Sequence, residues 1–373
     1  MFTPSLPISI HILNVGHGDS IVIECGVPPD ARYVVIDTNL VKQKNVTVCP
    51  AFEFLKKKNV SVIDTLAVTH LDLDHYCGIE HLLDYYDIRK LLIPPFFSNK
   101  SDDVDKKLAI FREKGREALH RSANSEVRQT VKSLATLLNF IDNNRDKVDC
   151  VQGRDSNVTL SAQANLCARI FLPLPGQKGN MFNIISDKSF EFRPFKGMND
   201  FSIAFCLKLG EHKVLLTGDA TADQWQEHQR QMARDGINSL ECGFVKSPHH
   251  GSSYDNTRAT FDYMFGTSRK GSHLFVSAEG KTHPSQDVIK MALDDGVIPH
   301  CTSISRHCVV ASMHQPDILG SLPPEIRSFV SHYELNDSII ESCHGDITLS
   351  FSSSGDPSII SSTGMRCIYQ DTP

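Results

Sequence analysis

Polar and apolar positions alternate at the start of the chain. Ile8, Ile10 and Ile12 share one face, with Ser9, His11 and Leu13 between them, which is the period of a β-strand. Gly16 and Gly18 predict a turn, and two further strands follow at Ile21 to Cys25 and Arg32 to Asp37, a β-meander. The pattern then changes. A helix is predicted over Pro50 to Lys58, and the apolar run Leu66 to Thr69 predicts a buried strand that delivers His70. A helix from Tyr76 to Tyr85 and a strand Lys90 to Ile93, stopped by Pro94 and Pro95, complete this half.

From Ser98 to about Cys150 long polar segments carry apolar residues at helical spacing (Leu108, Phe111; Val127, Val131, Leu134, Leu138, Ile141), predicting two or three inserted helices. Basic and acidic residues are mixed there, which suits a solvated flap better than a nucleic-acid surface. Strand character returns at Leu166 to Leu172, and Gly176 to Met198 reads as an irregular loop. Strands are expected at Ser202 to Leu209 and Lys213 to Thr217, joined by a Gly210-Glu211 turn, then at Gly243 to Lys246, Leu274 to Ser277 and Asp346 to Phe351. Helices are expected at Ala222 to Arg234 and Ser285 to Asp295.

Composition narrows the class. The chain has 373 residues, 40% hydrophobic and 22% charged, enough for a substantial core. A net charge of −6 argues against a protein that coats DNA, so a nucleic-acid substrate would be held by a local patch or by metal ions. The N-terminus lacks a basic region and a long apolar core, no apolar stretch approaches the roughly 20 residues of a membrane span, and the 11 cysteines are odd in number and irregularly placed. A cytoplasmic protein with no membrane contact is expected.

The chemistry concentrates in Thr69-His70-Leu71-Asp72-Leu73-Asp74-His75. Four potential ligands occupy six positions directly after an apolar strand, and without cations between them they would repel or desolvate one another. His70 and Asp72 would serve one metal, with Asp74 and His75 turned to a second. Imidazole suits zinc, and carboxylate widens the choice to manganese or magnesium.

This segment resembles the His-x-His/Asp-x-Asp-His signature of the metallo-β-lactamase superfamily, and more closely the hydrolase domain of ComEC-type DNA-uptake proteins and their free-standing relatives. Three other passages are similar to that group: Asn14-Val15-Gly16-His17-Gly18-Asp19-Ser20, Leu215-Leu216-Thr217-Gly218-Asp219, and Ser247-Pro248-His249-His250-Gly251-Ser252. The resemblance runs from about residue 8 to 95 and from about 199 to 300. It implies an α/β fold, the four-layered αβ/βα arrangement of two sheets flanked by helices, in one domain over residues 1–373. That domain would carry a helical insertion at 98–150 and C-terminal strands and an extension at 300–373.

The resemblance also implies two divalent metal ions, zinc or manganese. The implied ligands are His70 and Asp72 for the first, Asp74 and His75 for the second, Asp219 as the bridge, and His283 on the second metal. Asp37 would support the ligand loop without binding metal. The superfamily often has a further histidine before the bridging aspartate. Here that passage is Met198-Asn199-Asp200-Phe201-Ser202, as in ComEC-type sequences, which implies a first site completed by water or substrate.

The implied reaction is metal-assisted hydrolysis of a phosphodiester, with nucleic acid as the expected substrate and a protein partner from the same pathway as a further expectation. Asp74, His249 and His250 are the expected catalytic residues; either histidine could assist the leaving group or orient a ligand. His17 reads equally as a supporting residue or a turn residue. A small-molecule hydrolase (cyclic nucleotide or thioester) and a metal-binding scaffold with lapsed activity stand as alternatives. For the first, the test is whether Lys106, Lys107, Arg112, Lys114, Arg116 and Arg121 face the metals. Cys301, Cys308 and Cys343 with His307 and His344 lack the spacing of a zinc knuckle and are not expected to bind zinc.

Overall fold

The computed structural model describes residues 6–43, 46–95, 109, 113, 125–153, 156–175, 198–280, 282–303, 344–352 and 357–363. The meander forms as expected from β1 (Ile8–Ile12), β2 (Ile21–Cys25) and β3 (Arg32–Ile36). A small antiparallel pair, β4 (Val41–Gln43) and β5 (Val46–Val48), precedes α1 (Pro50–Lys57). Then come β6 (Val62–Ile63), β7 (Thr65–Ala67), the short helices α2 (Leu73–Tyr76) and α3 (Ile79–Leu83), β8 (Asp87–Ile88) and β9 (Leu91–Ile93). Helix α4 (Ser125–Asn143) leads into β10 (Val148–Cys150).

The second half runs β11 (Ser156–Ser161), β12 (Leu166–Leu172), β13 (Ala204–Leu209), β14 (His212–Leu216) and α5 (Ala222–Ala233). It continues through β15 (Phe244–Lys246), α6 (Arg258–Phe265), β16 (His273–Val276), α7 (Gln286–Asp294) and β17 (Ile298–Cys301). Strands β18 (Ile347–Phe351) and β19 (Ser358–Ser361) return to the first sheet.

Two large sheets result, one of eight strands in the order β10-β9-β7-β3-β2-β1-β18-β19 and one of seven in the order β11-β12-β13-β14-β15-β16-β17. The alternation read from the sequence decides which residues meet. Ile8, Ile10, Ile12, Ile21, Ile23, Val34 and Ile36 pack against Ile170, Phe205, Leu207, Val214 and Leu216 between the sheets. Val22, Val35, Leu66 and Leu91 face the other way, onto Leu55, Leu82, Leu134 and Leu138 of the helices. On the far side Leu215, Val245 and Leu274 are covered by Trp225, Phe261, Met264 and Val288. Three separate apolar interiors make the αβ/βα layering, with each fully buried Leu, Ile or Phe side chain contributing about 1.5–3 kcal/mol.

Two expectations need correction. The helix expected over Tyr76 to Tyr85 is two short helices, because Gly78 adopts φ +82° between them and an added Cβ would lie 2.5 Å from Leu40 Cδ2. The inserted segment is not helical to Cys150: Val148–Cys150 pairs in parallel with β9 and extends the first sheet. Helix α4 does carry the expected apolar stripe, with Val131, Leu134, Leu138 and Ile141 buried. A buried carboxylate pins it to α3, Glu80 accepting from Ser133 Oγ at 2.8 Å and Gln129 Nε2 at 2.7 Å. The basic residues named as the test of the insertion, the loop over 176–197, and His307, Cys308 and Cys343 lie outside the described residues. Among the described residues no helix is long and apolar enough to cross a membrane.

Candidate metal centre

The chemistry-bearing side chains gather where strands of both sheets end. Asp37, directly after β3, sits at φ 59° and organises the loop that follows β7. Its Oδ1 accepts from the Thr69 backbone N–H at 2.7 Å, and its Oδ2 accepts from Thr69 Oγ1 at 2.6 Å and His75 Nδ1 at 2.7 Å. Because the Thr69 hydroxyl gives its proton to Asp37, it can only accept from His70 Nδ1, 3.1 Å away. Both imidazoles therefore carry hydrogen on Nδ1 and aim Nε2 into the cluster. His250 obeys the same rule, its Nδ1 donating to the Ser277 carbonyl at 2.8 Å.

Asp219 is the point on which these nitrogens converge. His75 Nε2 lies 3.3 Å from its Oδ1, while His250 Nε2 and His70 Nε2 lie 3.2 and 4.0 Å from its Oδ2. Its backbone N–H donates to Ser202 Oγ at 3.1 Å, so the passage lacking the superfamily histidine serves to hold the Asp219 turn. His70 Nε2 is also 3.7 Å from Asp72 Oδ2, and His250 Nε2 is 3.2 Å from Asp74 Oδ2. The Gly18 turn closes the arrangement. An added Cβ there would lie 2.2 Å from the Asp74 carbonyl oxygen, to which the Asp19 N–H donates at 3.2 Å.

At the open side, His17 Nε2 is 3.3 Å from Asp74 Oδ2. His249, with its side chain 30% exposed, donates through Nδ1 to Asp255 Oδ2 at 2.6 Å and points Nε2 towards Asp219 at 3.9 Å. His249 and His250 both adopt left-handed backbone (φ 46° and 53°), which costs about 1–2 kcal/mol per residue and turns the two rings to different places. At the buried end Lys246, fully enclosed, places Nζ 2.5 Å from Asp19 Oδ2 and 3.7 Å from Asp219 Oδ1.

Whether these residues suit metal ions is answered by their unmatched atoms. Asp19 Oδ1, His70 Nε2 and Asp219 Oδ1 are buried without an aligned hydrogen-bond partner, while Asp19 Oδ2 is ion-paired with Lys246. Among the described residues two donor groups have all their ligand atoms within 4.8 Å of one another, Asp19-His75-Asp219-His250 and His17-Asp74-His250. Imidazole and carboxylate donors in this proportion fit zinc or manganese.

Charge follows the same geometry. Burial opposes a charge on His75, but Asp219, Asp37 and Asp74 outweigh it and hold the imidazole well above its usual range. Burial also opposes the charge on His250, which Asp219 and Asp74 nevertheless lift to about 9. Against the upward pull of burial, His75 and His250 keep the Asp74 and Asp219 carboxyls well below the carboxylate range. Lys246 is raised despite burial, by Asp19 and Asp219. His283 falls to about 4, first through burial and then through the neighbouring His250 and His249.

Of the ligands expected from sequence, Asp74, His75 and Asp219 lie within the two donor groups, His70 lies 4.0 Å from Asp219, and Asp72 lies 3.7 Å from His70. His283 stands at the mouth, its ring 5.6 Å from that of His249 and 6.5 Å from that of His250, in neither donor group. His250, expected to be catalytic, belongs to both groups. Sequence reasoning passed over Asp19, Lys246 and Asp255. Asp19 stood inside a quoted passage but read as turn; Lys246, a charge ending the apolar strand Phe244-Val245, was the visible signal.

A family model described as the metallo-beta-lactamase superfamily matches residues 6–266. Among curated proteins, ComE operon protein 3 of Bacillus subtilis (strain 168) is 30% identical over 118 residues, 28% of this chain and 15% of that protein, so only a small part of that relative is spanned. Among solved structures, a mutant of CmlA beta-hydroxylase is similar at TM-score 0.38 and 13% identity, covering 81% of this chain and 53% of its own. A hydrolase of the beta lactamase superfamily, AbOPH, is similar at TM-score 0.27 and 12% identity, covering 54% and 56%.

Proposed function

Because the chain belongs to the metallo-beta-lactamase superfamily, we propose that it is a metal-dependent phosphodiesterase acting on nucleic acid. The coarser part stands on the family and the cluster: a hydrolase with a buried His/Asp centre able to hold metal. The observation that carries the reading is the orientation of three imidazoles. His70, His75 and His250 each have Nδ1 tied to a fixed partner, leaving Nε2 of each aimed at Asp219. A solvated polar loop has no need of such an arrangement.

His70, Asp72, Asp74, His75, His250 and Asp219 would hold two divalent ions, zinc or manganese. When bound, such ions supply Lewis acidity and activate water near neutral pH. The remaining steps fall to the chain itself. Asp37 and Thr69 keep His70 and His75 in one tautomer. His249, partly exposed and oriented by Asp255, is placed to give a proton to a departing oxygen, the Asp255 hydrogen bond keeping its imidazole basic enough against burial. The phosphodiester preference is supported by the four motif passages similar to DNA-uptake hydrolases and by the match to ComE operon protein 3. A protein partner from the same pathway is part of the same reading. A reducing, cytoplasmic setting, expected from the odd number and irregular placement of the cysteines in the sequence, belongs to the same reading.

The test is a screen of protein purified without chelator and supplied with zinc or manganese. Single- and double-stranded DNA, RNA and bis(p-nitrophenyl) phosphate are compared with a cyclic nucleotide, a thioester and a β-lactam. Cleavage of the nucleic acids and the nitrophenyl diester is expected. Turnover confined to a cyclic nucleotide, the thioester or the lactam would overturn the substrate class, and no turnover of any substrate would overturn the enzyme.

A further inference from the structure

Lys246 has no part in the reaction described above, yet its ammonium lies within the cluster. It leaves the end of β15 with no exposed surface, so a substrate entering by Asp74, His249 and His283 does not reach it. Nζ is 2.5 Å from Asp19 Oδ2, 3.2 Å from the Gly218 carbonyl oxygen and 3.7 Å from Asp219 Oδ1. Asp19 belongs to a donor group, with His75, Asp219 and His250, that has the composition of a complete four-coordinate metal site. The ammonium already stands against two of those four ligands.

We propose that Lys246 is the resident cation of this centre, occupying the Asp19 side so that the site accepts two divalent ions and excludes a third. This rests on the reading of the centre as a metal site. Charge counting agrees with it. Asp19, Asp37, Asp72, Asp74 and Asp219 converge with one buried lysine, and two divalent ions neutralise what the lysine leaves. An ammonium against Asp19 and Asp219 repels any further ion seeking those carboxylates, an effect that a low-dielectric site leaves largely unscreened. Lys246 is thus a positioning residue that acts through Asp19 and Asp219, not a group that touches substrate.

The experiment measures metal content and zinc affinity, and the melting temperature with and without chelator, for the full chain and two variants. Lys246→Met is expected to bind an additional equivalent, or to bind zinc about ten-fold more tightly, and to lose more thermal stability to chelator than the parent. The paired variant Lys246→Met with Asp19→Asn removes both charges and is expected to return to the parental metal content. Unchanged or reduced metal binding in a folded Lys246→Met overturns the proposal. So does loss of an ion in the paired variant, which would make Asp19 a ligand in its own right. If Lys246→Met folds only with zinc present, the added ion is replacing the lysine, as proposed; if it folds under no condition, the paired variant alone decides. A parent protein that takes up no metal would sink the metal-site reading itself, whereas metal uptake indifferent to both changes sinks only the role of Lys246.

Discussion

Two buried carboxylate clusters, one on the first sheet and one where strands of both sheets end, are built on opposite principles. Around Glu24, on β2, the carboxylate is answered by the protein itself. Tyr33 Oη donates at 3.0 Å, Lys58 Nζ at 2.9 and 3.1 Å, and His11 Nε2 lies 3.4 Å away. Around Asp219, carboxylates and imidazoles crowd together with oxygens and a nitrogen left unmatched, and His75 Nε2 faces His250 Nε2 at 3.4 Å. In the first cluster both Glu24 oxygens have donors supplied by the protein. The second gathers imidazoles and carboxylates that could hold metal ions, and the proposal of a reaction centre rests on that difference.

Substitutions should sharpen the contrast. The largest effect is expected from Asp219→Ala, with hydrolysis lower on the order of 10³-fold and little change in the circular dichroism spectrum; retention of activity would erase the distinction. Asp37→Asn, which takes the acceptor from His75 and Thr69, should weaken metal binding about 10- to 100-fold, read by competition with a chromophoric chelator. Asp255→Asn should lower kcat about ten-fold and leave metal content unchanged, since Asp255 acts on His249 alone among the histidines near Asp219. Glu24→Gln should leave turnover unaltered and cost about 1–3 kcal/mol of stability by denaturant titration.

The same contrast gives two pH dependences of opposite sign. Although burial alone would raise it, hydrogen bonds from His11, Lys58 and Tyr33 lower Glu24 to about 2. Its stabilisation is present above the unfolded carboxylate value and is lost as pH falls towards about 2. His250 is raised to about 9, so in the metal-free protein its contribution is complete below about 6.5 and is lost as pH rises through about 9. Metal must displace that proton, so zinc affinity should climb from pH 6 to pH 9 and proton release should show in calorimetry across buffers. Affinity that falls over this range would contradict the assignment of His250 as a ligand.

Much of the fold was legible because periodicity is a local property. The alternation of Ile8, Ile10 and Ile12 and the stripe of Val131, Leu134, Leu138 and Ile141 announce their elements directly. The break at Gly78 was not legible, since it depends on Leu40 packing against a glycine from elsewhere in the chain. Strand β11 escaped notice because its first half is exposed and carries little alternation, and β17 because four residues with an internal proline give no pattern. The dense His70 to His75 segment advertised the centre. Asp19 and Asp255 did not, because an isolated acid in a turn acquires meaning only from what the two sheets bring beside it, and the lysine that ends β15 hinted at a buried charge without naming its partner.

The central claim is that the Asp219 cluster exists to hold cations. Elemental analysis of protein purified without chelator, parent beside Asp219→Ala, tests it most directly. Close to two divalent ions per parent chain and loss of bound metal in the variant are expected. Parent protein free of metal, still folded and unable to take up zinc or manganese on addition, would contradict it.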